Sequence, residues 1–129
     1  YASSHQAPFY PGTGAKSETG MSHNIVNVPL PRGCDSTLFR SRIEAEMLPA
    51  LRDWKPEFII ISAGFDAHIL DPLAGLNLVD DDFYWITREL IQISESACQG
   101  RVVSILEGGY SLDGLATGTA AHVRALMGN

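Results

Sequence analysis

Cysteine is scarce in this sequence of 129 residues. Its two cysteines, Cys34 and Cys98, lie far apart and outside any Cys-x-x-Cys or Cys/His cluster. This spacing argues against a disulfide framework and against a structural zinc site. We expect both side chains to be free thiols.

Basic charge and long apolar runs are also in short supply. The sequence has 9 basic and 15 acidic residues and a net charge of −6, which disfavours a direct nucleic-acid partner. No apolar run approaches the roughly 20 residues that span a bilayer, and no signal-peptide pattern opens the chain. Tyr1 stands where an initiator methionine would be. We therefore expect further residues upstream, no membrane contact and, by default, a soluble cytoplasmic protein.

Two common catalytic motifs are missing. Gly12-Thr13-Gly14 lacks the third glycine and the preceding strand of a dinucleotide-binding turn, and no P-loop motif occurs, so a nucleotide role is disfavoured. No serine or cysteine lies in a nucleophile-elbow pattern, so an acyl-enzyme mechanism has no starting point. Hydrolysis by an activated water remains open.

What the sequence does contain is the pattern of an α/β domain. Hydrophobic residues make up 45% and charged residues 19%, which is typical of a globular protein. Residues 1–33 are rich in Gly, Pro and Ser and predict a long shaped loop that contains one strand, over 24–30. Asp35 or Ser36 can cap a helix, which Pro49 should kink or end. The apolar stripe of this helix recurs every four residues, at Phe39, Ile43, Met47 and Leu51.

Two later segments, 57–64 and 101–106, are almost continuously apolar. Runs of this kind are typical of strands that are buried on both faces of a parallel sheet. We therefore expect a central parallel strand with three almost fully buried side chains, Ile59, Ile60 and Ile61. The second segment predicts another buried strand of the same sheet, carrying Val103 and Ile105.

Helices follow these strands in the predicted order. The carboxylates of residues 80–82 suit a helix N-terminus, where unpaired amides favour negative charge, and Gly100 would end that helix. Asp113 can cap a last helix whose inward face consists of Leu115, Thr119, Val123 and Leu126. Strands that alternate with helices predict a mainly parallel sheet covered on both faces, a three-layer α/β/α fold.

Ligands of such sheets bind beyond the carboxyl ends of the strands. Asp66 follows shortly after the first apolar strand, a rigid element, and is therefore well placed as a metal ligand. His68 would share its face if the strand continued, and a carboxylate with an imidazole suits zinc or iron. The alternative interpretation is that Asp66 and His68 are loop residues that only form hydrogen bonds. Asp71, which precedes a proline, is typical of a turn.

The second strand runs into Glu107-Gly108-Gly109-Tyr110. Two positions without side chains would let a substrate approach the backbone, while Tyr110 offers it a weakly acidic hydroxyl. A strand-to-helix turn with a packed tyrosine explains these residues equally well.

Three blocks of the sequence resemble the histone deacetylase family, which also includes acetylpolyamine amidohydrolases and acetoin-utilization proteins. They occur in the family's order: residues 9–14 with 27–30, residues 62–76, and residues 107–110. The resemblance covers essentially the whole chain and is closest to class II and bacterial members. It implies that residues 1–129 are the C-terminal portion of a single catalytic domain with the arginase/deacetylase fold.

The resemblance also implies a reaction and the residues that carry it. The reaction is hydrolysis of an acetylated amine, either a protein lysine or a small molecule such as an acetylpolyamine, with zinc or another divalent metal as cofactor. Asp66 corresponds to a zinc ligand, and Tyr110 to the tyrosine that stabilises the developing oxyanion. Tyr10 and Gly108 correspond to walls of the acyl-lysine tunnel. Ser3 and Ser4 correspond to a potassium site, to which they contribute a hydroxyl and a main-chain carbonyl respectively.

The other functional groups of the family fall outside this sequence. By the resemblance, an Asp-x-His pair of zinc ligands and a pair of catalytic histidines lie upstream of Tyr1. His68 is not a ligand in the family, and the remaining histidines match none of its positions: His5, His23 and His122. We therefore expect the chain alone to bind zinc weakly and to be inactive. A homo-oligomer is left open.

Two other functions compete with this interpretation. A non-catalytic binding module or pseudo-enzyme could keep the same fold, but it would need neither Asp66 nor Tyr110. An arginase-like ureohydrolase is disfavoured because a two-metal site uses Asp-x-Asp spacing, and Asp66-Ala67-His68 offers one aspartate.

Overall fold

The computed structural model describes residues 1–128, in which two successive strands are followed by helices that alternate with two further strands. The strands are β1 (Ala2–Gln6), β2 (Val26–Leu30), β3 (Ile59–Ala63) and β4 (Val102–Leu106). The α-helices are α1 (Ser36–Arg42), α2 (Leu48–Trp54), α3 (Asp80–Cys98) and α4 (Leu112–Leu126), and a π-helical segment, Ile43–Met47, joins α1 to α2. None of these helices is both long enough and apolar enough to cross a membrane.

The strands form two parallel pairs. Ala2 of β1 lies opposite Val26 of β2, and Ile59 of β3 lies opposite Val102 of β4. The parallel pairing of β3 with β4 confirms the prediction. Strand β1 lies in a segment that was predicted to be loop, and that prediction is wrong. Its residues are mostly polar, so the hydrogen bonds to β2 hold it in strand conformation rather than any pattern of its own.

Burial of the β3–β4 sheet differs from the prediction. Ile60 is 64% exposed, Val103 45% and Ile105 52%, while Ile59 and Ile61 are partly buried. The alternation shows that one face of the sheet lies against the core and the other is open in residues 1–128. An apolar run suits a strand with two covered faces, but the described residues cover only one of them.

Residues 36–54 form one helical run that Pro49 does not end. Asp35 caps it as predicted, its side chain accepting a hydrogen bond from Leu38 N at 3.0 Å. Most of the predicted stripe is buried: Phe39, Ile43 and Met47. Pro49 lies in the first turn of α2, just after the π-helical segment, where a missing N–H is tolerated. The run ends at Trp54, after which Lys55 takes a left-handed conformation.

Helix α3 begins and ends where the sequence predicted. Gln99 and Gly100 both have positive φ angles directly after Cys98, which ends the helix. At the other end, Asp82 is fully buried. Its carboxylate accepts hydrogen bonds from Ser36 Oγ (2.6 Å), Arg40 Nε (2.7 Å) and Val79 N (3.0 Å). This one side chain therefore ties the start of α3 to α1.

Helix α4 is capped by Ser111, whose hydroxyl accepts from Gly114 N at 3.2 Å, and not by Asp113 as predicted. The predicted inward face is also partly wrong, because Val123 is exposed. The buried face is made of small residues and one histidine: Gly114, Gly118, Ala121, His122 and Ala125. A Cβ at Gly118 would lie 3.1 Å from Phe65, so the absent side chain lets α4 pack closely on the core.

His122 links α4 to two other elements. Its Nδ1 lies 2.6 Å from Thr87 Oγ1 on α3, and its Nε2 lies 2.8 Å from Ser104 Oγ on β4. The Thr87 hydroxyl donates its proton to Phe83 O, so Nδ1 is the donor to Thr87 and Nε2 accepts from Ser104. Burial lowers the pKa of His122. This histidine is therefore a structural residue, neutral in the folded chain.

The two cysteines are buried free thiols, as predicted. Cys34 belongs to the main apolar cluster, beside Val28, Leu30 and Leu76. Burial raises the pKa of the Cys34 thiol, and the nearby Asp35 raises it further.

Candidate functional site

The candidate site lies at the carboxyl ends of β3 and β4. Backbone hydrogen bonds between the two segments continue past the strands, since Glu107 N donates to Ala63 O (3.0 Å) and Phe65 N donates to Gly108 O (2.7 Å). The loops that follow β3 and β4 therefore leave the sheet side by side. As the sequence predicted, Asp66 and Tyr110 are delivered to the same edge.

The carboxylate of Asp66 occupies space that two glycines leave open. A Cβ at Gly108 would lie 2.7 Å from Asp66 Cγ, and a Cβ at Gly64 would lie 2.9 Å from its Oδ1. Gly108 was assigned to the substrate tunnel by resemblance alone, and Gly64 was not singled out. The sequence offered a signal for both, because a glycine occurs within two residues after the end of each strand.

The electrostatic surroundings of Asp66 favour a bound cation. Burial raises the pKa of Asp66, and the nearby negative charges of Asp71 and Glu107 raise it further. None of the ion pairs within residues 1–128 involves Asp66. A divalent metal at this carboxylate would offset both effects, so the residue fits the role of a metal ligand. The described residues contain no cluster of three metal-binding side chains, and hence not a complete site.

His68 is a buried loop residue whose two ring nitrogens are both engaged. Leu70 N donates to Nδ1 (3.1 Å), so the proton is on Nε2, which donates to Asp80 Oδ1 (3.2 Å). The ring also stacks on Phe83, with centroids 6.0 Å apart. Of the two interpretations that the sequence left open, the hydrogen-bonded loop residue is therefore correct.

Tyr110 projects from the second loop with 59% of its surface exposed. Its backbone N–H donates to Asp71 Oδ2 at 2.8 Å, across from the first loop. The other oxygen of Asp71 accepts from Leu73 N (2.9 Å) and Ala74 N (3.1 Å), which is the predicted turn. Burial raises the pKa of Asp71, but these backbone hydrogen bonds outweigh it, and the pKa lies below its usual value.

The remaining predicted residues lie around the β1–β2 sheet. Tyr10 is almost fully exposed in the loop between these strands, and Ser4 is exposed on β1. His5 Nε2 donates to the carbonyl of Gly14 (3.0 Å), so its Nδ1 accepts the hydroxyl proton of Ser3 (3.0 Å). The oxygen lone pairs of Ser3 stay free for another contact. The roles of Tyr10 and of the two serines remain predictions.

Comparison with known proteins shows which family the chain belongs to. The model of the histone deacetylase domain matches residues 1–126. The chain belongs to the histone deacetylase family. The resemblance found in the sequence is thereby confirmed over nearly its whole length.

Individual relatives agree with this membership. Histone deacetylase 14 of Arabidopsis thaliana, named as chloroplastic, is 38% identical over 99% of this chain and 31% of that protein. The crystal structure of the HDA15 HD domain has a TM-score of 0.87 at 33% identity, covering 100% of this chain and 37% of that one. An acetylpolyamine aminohydrolase from Burkholderia pseudomallei has a TM-score of 0.84 at 27% identity, covering 98% of this chain and 37% of that one.

These matches bear on fold and extent. The chain has the α/β fold of the histone deacetylases, with parallel strands and flanking helices, as a partial domain. It spans about a third of the length of these relatives.

Proposed function

We propose that residues 1–129 are the C-terminal portion of the catalytic domain of a metal-dependent deacetylase. The intact domain hydrolyses an acetylated amine to acetate and the free amine. The observation that supports this most strongly is the placement of Asp66 and Tyr110 at one sheet edge, on loops that touch through Gly108 and Asp71.

Each of these side chains has a distinct role in the proposed reaction. Asp66 contributes one carboxylate ligand to a zinc ion or another divalent metal. When bound, such an ion supplies polarisation of the amide carbonyl and an activated water. The phenol of Tyr110 donates a hydrogen bond to the carbonyl oxygen as negative charge develops on it. Its exposure leaves the hydroxyl accessible to a substrate.

The substrate is an acetylated amine, either a protein lysine or an acetylpolyamine. The relatives described above are named for both kinds of chemistry, a histone deacetylase and an acetylpolyamine aminohydrolase. In this proposal Tyr10 and Gly108 line the acyl-chain tunnel, and Ser3 and Ser4 contribute to a potassium site. The protein works in the cytoplasm, and the isolated chain is inactive.

A second candidate is a non-catalytic module with the same fold. It is compatible with one observation, that residues 1–128 contain no group of three or more side chains that could hold a metal ion. The two candidates differ in what the full-length protein does with an acetylated peptide and in whether it binds zinc.

Substitution of Tyr110 in the full-length protein tests the proposal. Tyr110→Phe removes only the hydroxyl, and it should lower kcat by about 10²-fold with little change in KM, the scale of losing one oxyanion donor. Asp66→Asn should lower zinc affinity and activity together, since a neutral amide is a poorer ligand. Tyr84→Phe, on α3 away from the site, is the matched control and should remain fully active. Full activity of Tyr110→Phe, or a loss confined to KM, would contradict the proposed mechanism.

A further inference from the structure

We infer that Asp71 is a positioning residue for Tyr110: its carboxylate joins the loop that carries Asp66 to the backbone of Tyr110 and so fixes the phenol relative to the metal ligand. This inference rests on the proposed function and adds to it a residue that touches neither metal nor substrate.

The carboxylate of Asp71 divides its two oxygens between two loops. Oδ1 holds the turn at Leu73 and Ala74, within its own loop. Oδ2 accepts from Tyr110 N at 2.8 Å. A hydrogen bond from a backbone N–H to a charged carboxylate is stronger than one between neutral groups. The contact therefore acts on the main chain of Tyr110 itself, next to the atom that carries the side chain.

Little else restrains Tyr110. Two glycines precede it, and Gly109 has a φ of 137°, a conformation that side-chain-bearing residues rarely adopt. The ring is mostly exposed, so packing does not hold it either. After Tyr110, the chain is fixed again by Ser111, which caps α4. At Tyr110 itself, the bond to Asp71 is the hydrogen bond that restrains the backbone N–H. On either side, the backbone of Gly109 lies close to Phe65 and Leu115, and the backbone of Ser111 also helps to lower the pKa of Asp71.

Asp71 is itself firmly anchored. Its N–H donates to His68 O (2.8 Å), and the His68 ring donates to Asp80 at the start of α3. Pro72, directly after it, has a fixed φ, which stiffens the turn. A chain of hydrogen bonds through Asp71 and His68 therefore connects the backbone of Tyr110 to the start of α3. In this inference His68 has a structural function, which is to anchor Asp71, and it does not bind a metal.

Both oxygens are needed, so asparagine is a poor substitute. An amide has one accepting oxygen and an NH₂ group that cannot accept from a backbone N–H. Asp71→Asn can keep either its own turn or the bond to Tyr110. We expect it to lie between the wild type and Asp71→Ala in activity.

A double-mutant cycle in the full-length, metal-loaded protein tests the inference. Asp71→Ala should lower kcat by roughly tenfold to 10²-fold, the scale for misplacing a catalytic group by about 1 Å, with KM nearly unchanged. In the Tyr110→Phe background the same substitution should cost less than about threefold, because residues that act as a unit are not additive. The matched control is Asp35→Ala, which removes a carboxylate that accepts a backbone N–H away from the site and should leave kcat unchanged.

Amide hydrogen exchange gives a readout that does not depend on activity. Asp71→Ala should speed exchange at the Tyr110 amide, while amides in the middle of α3 stay as protected as in the wild type. Unchanged exchange at Tyr110, full activity of Asp71→Ala, or equal losses in the two backgrounds would each overturn the inference. A wild-type protein that is inactive on acetylated amines would instead overturn the proposed function, and the catalytic part of the inference with it.

Discussion

A single methyl group at Gly108 should displace the carboxylate of Asp66. The φ angle of Gly108 is not in the left-handed region, so alanine fits its backbone without strain. The new Cβ would lie 2.7 Å from Asp66 Cγ, 2.8 Å from Oδ1 and 2.9 Å from Oδ2. Ordinary contacts between carbon atoms are about 3.5–4.0 Å, so the carboxylate must move by about 1 Å.

That distance sets the size of the expected effects. Displacing a catalytic group by about 1 Å can cost about 10²-fold in rate, and disturbing the surroundings of a metal ligand about 10- to 100-fold in metal affinity. Overpacking costs about 1–3 kcal/mol of stability, and the lower end applies because Asp66 is only partly buried and can shift. Gly108→Ala should therefore fold and yet lose both metal affinity and activity.

Three measurements on the full-length protein check this expectation: zinc affinity by calorimetry, kcat on an acetylated peptide, and urea unfolding. Gly75→Ala is the matched control, because its Cβ would also make close contacts, at 2.8 Å from Nη1, 2.9 Å from Cγ and 3.0 Å from Cζ of Arg32. These atoms belong to one exposed side chain outside the site, which can change rotamer. It should leave zinc affinity and kcat unchanged. If Gly108→Ala matches the wild type in both, the position of Asp66 does not control metal binding and the site described above is wrong.

Two further predictions concern stability. Asp82→Ala removes the buried acceptor of three hydrogen bonds and should lower the free energy of unfolding by about 3–5 kcal/mol in urea denaturation. The control Asp81→Ala, at an exposed position, should change it by no more than about 0.5 kcal/mol. An equally small loss for Asp82→Ala would show that the buried contacts contribute little. Because burial lowers the pKa of His122, the unfolded chain takes up a proton first as pH falls below its value of 6.5. Stability should therefore decrease from pH 7 towards pH 5, and His122→Gln should remove that part of the slope; an unchanged slope would contradict the assignment.

The placement of the site could be predicted from the sequence because it follows from short-range patterns. Apolar runs marked β3 and β4, and the residue types directly after them indicated the chemistry. Parallel strands bring their carboxyl ends together, so Asp66 and Tyr110 had to meet at one edge. The Asp35 cap and the apolar stripe of the helical run 36–54 are equally local, since each depends on residues within a few positions of one another.

What the sequence could not predict depends on distant partners. The polar residues of β1 form a strand only because β2 lies beside them. The exposure of Ile60 depends on which face of the β3–β4 sheet is covered by other elements. An apolar run in the sequence does not indicate that face. The bond from Asp71 to Tyr110 joins residues 39 positions apart. Nothing in the turn signal at Asp71 indicates where its second oxygen points.

Both strand pairs are parallel, and this affects how fast the chain can fold. Residue 59 must find residue 102, with all of α3 between them, before the first rung of the β3–β4 pair can form. Neither pair can start from a tight hairpin, and contacts between residues distant in sequence slow folding. Until the helices have packed on the covered face of the sheet, the apolar side chains of that face, such as Ile59, remain available to other unfolded chains. Productive synthesis of this protein in the cell should therefore benefit from chaperones.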